Sequence, residues 1–174
     1  MQLIYKNKLV NRASTHIVHL YLNSTLRIIG NILDKASKEN YALKEQIEDF
    51  RDGARILFKI NYLKNGYIVL QVWNNSFHLI NEDEKSITDY DLAIIVKHPI
   101  LAFKILTLQE SNTIAVANNR FLTSGDASLA IRFINCLEIV EANLLPSFIA
   151  KNIVAKHEHI PISGKINFIK NLII

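Results

Sequence analysis

At 174 residues, with 49% hydrophobic and 21% charged residues, the chain fits one globular domain and excludes a disordered or fibrous one. Five glycines and three prolines argue against a turn-rich β-sandwich, and a single cysteine, Cys136, excludes an intrachain disulfide and points to a reducing compartment. The net charge of +4 is spread along the chain, with modest excesses at the ends (Lys6, Lys8, Arg12; then Lys151, Lys156, Lys165, Lys170); it reads as solvated surface first, anionic membrane second and nucleic acid last.

Met1 to Lys8 has neither the apolar core nor the cleavage site of a signal peptide. No run reaches the roughly 20 apolar residues of a spanning helix, so a cytoplasmic chain is expected, soluble or peripheral at the inner membrane face. Residues from about Ser14 to Phe50 carry helical spacing, with Ile17, Leu20, Tyr21 and Ser24 followed by Ile28, Ile29, Ile32 and Leu33. Gly30 and Asn40 are the weak points, and Gly53 closes the helical region.

From Ala54 the period changes to two. Ile56, Phe58 and Ile60 share one face of a strand, and Lys64-Asn65-Gly66 offers the positive φ of a tight turn. Tyr67 to Trp73 returns, Asn74-Asn75 turns again, and Ser76 to Ile80 completes a meander. An acidic loop from Asn81 to Asp89 precedes a fourth strand at Asp91–Val96, and Pro99 suits the first turn of a helix. A polar loop leads to a fifth strand at Arg120–Ser124, ended by Gly125, with Asp126 capping a helix that runs to about Asn143. Pro146 opens another helix. The order predicts an α+β fold: one mixed or antiparallel sheet of about five strands with helices on one face.

The chemical motifs point away from catalysis. His157-Glu158-His159 diverge by about 200° in a helix and have no third ligand nearby; His16 and His19 share a helix face without a partner carboxylate or Cys. Asp89-Tyr90-Asp91 reads as a turn before a strand, Cys136 as a small buried hydrophobe, and no phosphate loop or nucleophile elbow occurs. No metal, cofactor or enzyme activity is expected. The apolar tail Lys165–Ile174 either closes the core or lies in a bilayer surface.

The element order, with Asn119-Arg-Phe-Leu-Thr-Ser-Gly-Asp-Ala-Ser-Leu-Ala-Ile-Arg-Phe133 as its most specific stretch, resembles the lipid-binding domain of type-two sterol carrier proteins over about Asp49 to Lys156. Stand-alone bacterial members with a helical N-terminal extension, including accessory factors of ubiquinone biosynthesis, look most similar. The resemblance implies a helical extension over 1–50, a lipid-binding domain over 51–160 and an apolar tail over 161–174. It also implies a hydrophobic tunnel between sheet and helices for a fatty acyl, sterol or isoprenoid (quinone-like) ligand. Ile68, Leu70, Val72, Phe103, Leu106, Phe133, Leu137 and Phe148 are the residues expected to line it, although any one of them is more often plain core than ligand wall. The alternative is a scaffold whose interior is filled by its own side chains and whose surface binds a protein; cavity volume separates the two.

Overall fold

A computed structural model describes the backbone of residues 2–83, 87 and 89–144, and among these the side chains from residue 15 to residue 142. The readings placed on Pro146–Lys156, on His157 and His159, on Phe148 and on the tail from 161 onward lie outside these residues.

Helix α1 spans Gln2–Ser37 and α2 spans Tyr41–Ile47. Helix α1 therefore starts well before Ser14 and passes unbroken through Gly30. That glycine is there for contact: a Cβ would come within 2.9 Å of a Leu79 methyl, so only hydrogen lets the helix lie this close to the sheet. The break falls at Asn40, whose side chain accepts from the Leu43 N–H and caps α2.

Strands β1 (Arg55–Ile60), β2 (Tyr67–Trp73), β3 (Ser76–Ile80), β4 (Leu92–Val96) and β5 (Phe121–Ser124) form one mixed sheet in the order β3-β2-β1-β4-β5. β1 pairs antiparallel with β2 and parallel with β4, with Phe58 opposite Ile68 on one side and Ile94 on the other. The meander turns as its asparagines require, with φ of +57° at Asn65, +52° at Asn74 and +54° at Asn75.

Alternation sorts the two sheet faces. Ile56, Phe58, Ile60, Ile68, Leu70, Val72, Leu92, Ile94 and Val96 are buried together under the helices. The Phe133 ring lies 5.9 Å from that of Phe58 and 6.0 Å from that of Phe77, which fills the centre with aromatic side chains. On the reverse face Leu57, Val69 and Ala93 are buried against Tyr67, Ile80, Ile87 and Ile95. The connection from β3 to β4 is fastened there by the Tyr67 hydroxyl donating to the Glu82 carbonyl at 2.7 Å and by an Arg55–Glu82 ion pair.

Asp91 is an anchor of that connection rather than an acid–base group. Its carboxylate accepts from the Arg55 N–H at 2.9 Å and pairs with Arg51. The Arg55 amide first, then Arg51, holds its carboxyl below the usual range.

Helix α3 (Pro99–Leu106) begins on Pro99, as expected, with the His98 side chain accepting from the Ile100 N–H. Helix α4 (Asn112–Ala117) corrects the sequence reading, which took this stretch as loop. Six residues are too few to display a period, and the signal was the cap: the Ser111 hydroxyl accepts from the Ile114 N–H. Helix α5 (Ala127–Leu144) follows β5.

Candidate functional site

Gly125 and Asp126 turn β5 into α5 in the way their chemistry predicts. Gly125 has φ +108°, and a Cβ there would lie 2.3 Å from the Asp91 carbonyl oxygen. Asp126 accepts from the Ser128 N–H at 2.7 Å and from the Ser128 hydroxyl, bonds that hold its carboxyl below the ordinary value, the hydroxyl contributing most. The turn carries the chain from β5 into α5.

A groove of about 420 Å3 lies between α5, α4 and the β4–β5 end of the sheet. Ile94 and Phe121 come from the sheet and Val116 from α4, while Ala127, Ala130, Ile131 and Ile134 come from one face of α5. The α5 positions recur at three- and four-residue steps, the spacing of a single helical face. Ile131 is 60% exposed and Val116 49% exposed, so the wall keeps large apolar side chains in contact with solvent. Thr113, Asn119, Thr123, Asn135 and Glu138 supply the polar groups.

Helix α4 is held in place by polar contacts on both sides. Asn112 donates to the Glu141 carboxylate at 2.9 Å and the Thr113 hydroxyl donates to Glu138, one helical turn apart on α5. On the other side Arg120 pairs with Glu110 at 3.0 Å, which holds the Glu110 carboxyl below its usual value. Burial pushes the Glu141 carboxyl up to about 7, against the Asn112 hydrogen bond and with the nearby Glu138 charge adding to the rise. Asn135 donates to Gln46 at 3.0 Å, and Arg132 donates to the Glu45 carbonyl at 3.0 Å, so the side of α5 toward α2 is fixed as well.

Seven of the sequence-predicted tunnel residues lie apart from this groove. Ile68, Leu70, Val72, Phe133 and Leu137 are buried in the central core, and Phe103 and Leu106 pack against it. Phe103 meets the Tyr21 ring edge-on at 5.7 Å, under α1. None of these seven lines the groove; Ile68 lines a second hollow of about 400 Å3 with Tyr67, Leu79 and Glu82. Sequence reasoning missed Val116 and Phe121 as lining residues. The available signal was the second apolar face of α5, which carries Ile131 and Ile134 in addition to the core face of Phe133 and Leu137.

Cys136 is fully buried and its thiol is pushed up to about 12 by burial, in keeping with a packing role. No group of side chains suited to a metal ion occurs among the described residues. No described helix is long and apolar enough to cross a membrane.

The class these features define is an α+β fold with a mixed five-stranded sheet and an apolar groove at one edge. No protein-family model matches the chain, and no curated protein matches it. Solved structures do. One is a UbiJ-SCP2 ubiquinone synthesis protein, at 12% identity and TM-score 0.43 over 69% of this chain and 95% of that one. Another is the sterol carrier protein domain 2 of Helicoverpa armigera, at 12% identity and TM-score 0.45 over 78% and 93%. Sterol carrier protein 2 of Yarrowia lipolytica in its apo form matches at 16% identity and TM-score 0.39 over 76% and 94%.

Proposed function

We propose that the chain binds one apolar chain, a fatty acyl or isoprenoid (quinone-like) tail, in the α4–α5 groove, and carries or presents it without covalent chemistry. The supporting observation is the groove itself: about 420 Å3 of space with a largely apolar wall in which Val116 and Ile131 stay exposed. That size is within the usual range for small-molecule sites, and each methylene moved out of water contributes about 0.8 kcal/mol. The polar residues Asn119 and Thr123 can hold a headgroup at the mouth by hydrogen bonds. In this reading the chain works in the cytoplasm and touches the inner membrane face peripherally to load and unload. Pro146–Lys156 and Lys165–Ile174 are candidate contact segments.

The seven described tunnel residues of the sequence analysis form a deeper candidate. A ligand there would have to displace packed side chains such as Phe133. Two variants separate the sites. Ile131→Asp should weaken uptake of a fluorescent acyl or polyprenyl probe at least tenfold if the groove is used, with little effect from Phe103→Ala; the reverse pattern points to the deeper set. Native mass spectra showing only the bare chain, with no uptake of acyl, sterol or polyprenyl probes, overturn both. The burial of Leu70, Val72, Phe133 and Leu137 in the core supports a second reading, a scaffold that binds a protein through its surface, and that outcome leaves the scaffold standing.

A further inference from the structure

Helix α4 sits on a short excursion of the chain that is closed at its base. Glu110 and Arg120 flank the excursion and pair at 3.0 Å, and the Asn118 side chain donates to the same carboxylate at 3.4 Å. Left-handed residues bracket it on both sides, Leu108 at φ +62° and Asn119 at φ +54°. Such backbone is uncommon for a side chain as large as leucine, and it marks the points at which the chain turns out and back. Between them Thr113 and Val116 line the groove, while Ala115 is fully buried.

Two hydrogen bonds fasten this excursion to α5, from Asn112 to Glu141 at 2.9 Å and from the Thr113 hydroxyl to Glu138. The two carboxylates are three residues apart and share one face of α5. Asn112 is 1% exposed, so its bond to Glu141 is the inner of the pair. Asn112 and Glu138 are the groups that act on Glu141. Helix α4 and strands β4 and β5 carry no charged residue. The charges on the other neighbouring elements are engaged elsewhere: Arg120 and Lys104 of α3 act on Glu110, Arg132 pairs with Asp49 just beyond α2, and Lys38 pairs with Asp34 of α1. A glutamine at 141 would accept the same hydrogen bond without burying an ionisable group, so the carboxyl adds a proton dependence that packing does not require.

We propose that residues 109–118 form a flap over the α4–α5 groove, stapled at Glu110–Arg120 and clasped to α5 at Asn112–Glu141 and Thr113–Glu138, and that release of the clasp opens the groove to its ligand. Proton binding controls the clasp. With the flap closed, burial pushes the Glu141 carboxyl up to about 7; with the flap open the group meets water and returns to its ordinary 4.5. The closed form therefore binds the proton more tightly, and the flap opens as pH rises from about 4.5 to about 7. The difference between those two values limits the change in the open-to-closed ratio to about 300-fold. The charge on Glu138 acts in the same direction, because two neighbouring carboxylates repel. The inference rests on the groove reading above and adds its regulation.

The test is the distance between nitroxide labels on Ile114→Cys in the flap and Tyr41→Cys on α2, both exposed positions, in the full chain without ligand. Cys136, fully buried with its thiol pushed up to about 12, stays unlabelled. Dipolar spectra at pH 5 should show one distance, and at pH 8 a longer one should gain at least tenfold in population. Glu141→Gln should hold the shorter distance at both pH values. Thr113→Val removes the outer bond from an exposed position and should raise the longer population at pH 5 with the thermal midpoint retained. A distance that does not change with pH overturns the proposal, as does a pH response that survives Glu141→Gln or a Thr113→Val distribution equal to that of the intact chain. Uptake of a fluorescent acyl probe is read separately: it should be at least tenfold faster at pH 8 than at pH 5, and Glu141→Gln should lose the difference. A flap that moves with pH in a chain that takes up no probe overturns the groove reading alone, and probe uptake beside an immobile flap overturns the flap alone.

Discussion

The two edge strands of the sheet meet solvent on different terms. At β3, helix α1 seals the edge: Asp34 accepts from the Leu79 N–H at 2.8 Å and the buried Ser37 hydroxyl accepts from the Phe77 N–H at 2.9 Å. The Ser37 hydroxyl in turn donates to the Asp34 carbonyl at 3.1 Å, so one helical turn satisfies two strand amides. At β5 no such side-chain cap from a helix occurs among the described residues. Three of its four residues are exposed, and the groove opens beside it. An edge closed by packed side chains contributes stability and offers nothing to a ligand. An edge held off its helix by a rigid turn retains apolar surface for use. The same sheet therefore has a structural end and a candidate binding end, and substitutions at the two ends should have different consequences.

The largest effect expected is at the turn that keeps the β5 end open. Gly125→Val places a branched side chain at φ +108°, with its Cβ against the Asp91 carbonyl, and should cost about 3 kcal/mol in urea denaturation. A change smaller than about 1 kcal/mol would show that the turn relaxes and does not set the groove. Next, at the sealed edge, Ser37→Ala leaves the Phe77 N–H buried without its acceptor and should cost about 2 kcal/mol with no change in ligand uptake. Loss of uptake in that variant would break the division between the two ends.

The α4–α5 contact sharpens the comparison through pH. Glu141 has a folded-state value of about 7 against an ordinary 4.5, so the folded chain binds more protons than the unfolded one between those values. Its stabilising contribution is fully present below about pH 4.5 and is lost as pH rises to about 7. The group is half-buried, so a loss of roughly 1–2 kcal/mol is expected after solvent screening. Glu141→Gln keeps an acceptor for Asn112 and should flatten this part of the stability–pH curve. A slope unchanged by the substitution would assign it to other groups. The smallest effect on stability is expected at the groove wall: Ile131→Asp should change it by no more than about 0.5 kcal/mol while weakening probe uptake.

Much of this architecture is legible in the sequence because it is written in local chemistry. Alternation at Ile56-Phe58-Ile60, the paired asparagines at 74 and 75, Pro99 at a helix start and Gly125-Asp126 at a strand-to-helix turn each determine their own neighbourhood within a few residues. Short or ambiguous signals failed: Gly30 looked like a break and is a close contact, and α4 is too short to show a period. The site was less legible still. Phe133 and Ile134 are adjacent and equally apolar, yet one is buried against Phe58 and Phe77 and the other lines a groove. Sequence sets hydrophobicity residue by residue. Which hydrophobic face is covered depends on how α1, α4 and α5 share the area over one sheet, and that is a tertiary matter. The sequence by itself thus determined the elements and the sheet's inner face. Tertiary structure alone decided which apolar faces stay exposed: the groove wall at the β5 edge, and Ile17, Leu20 and Ile28 along the outside of α1.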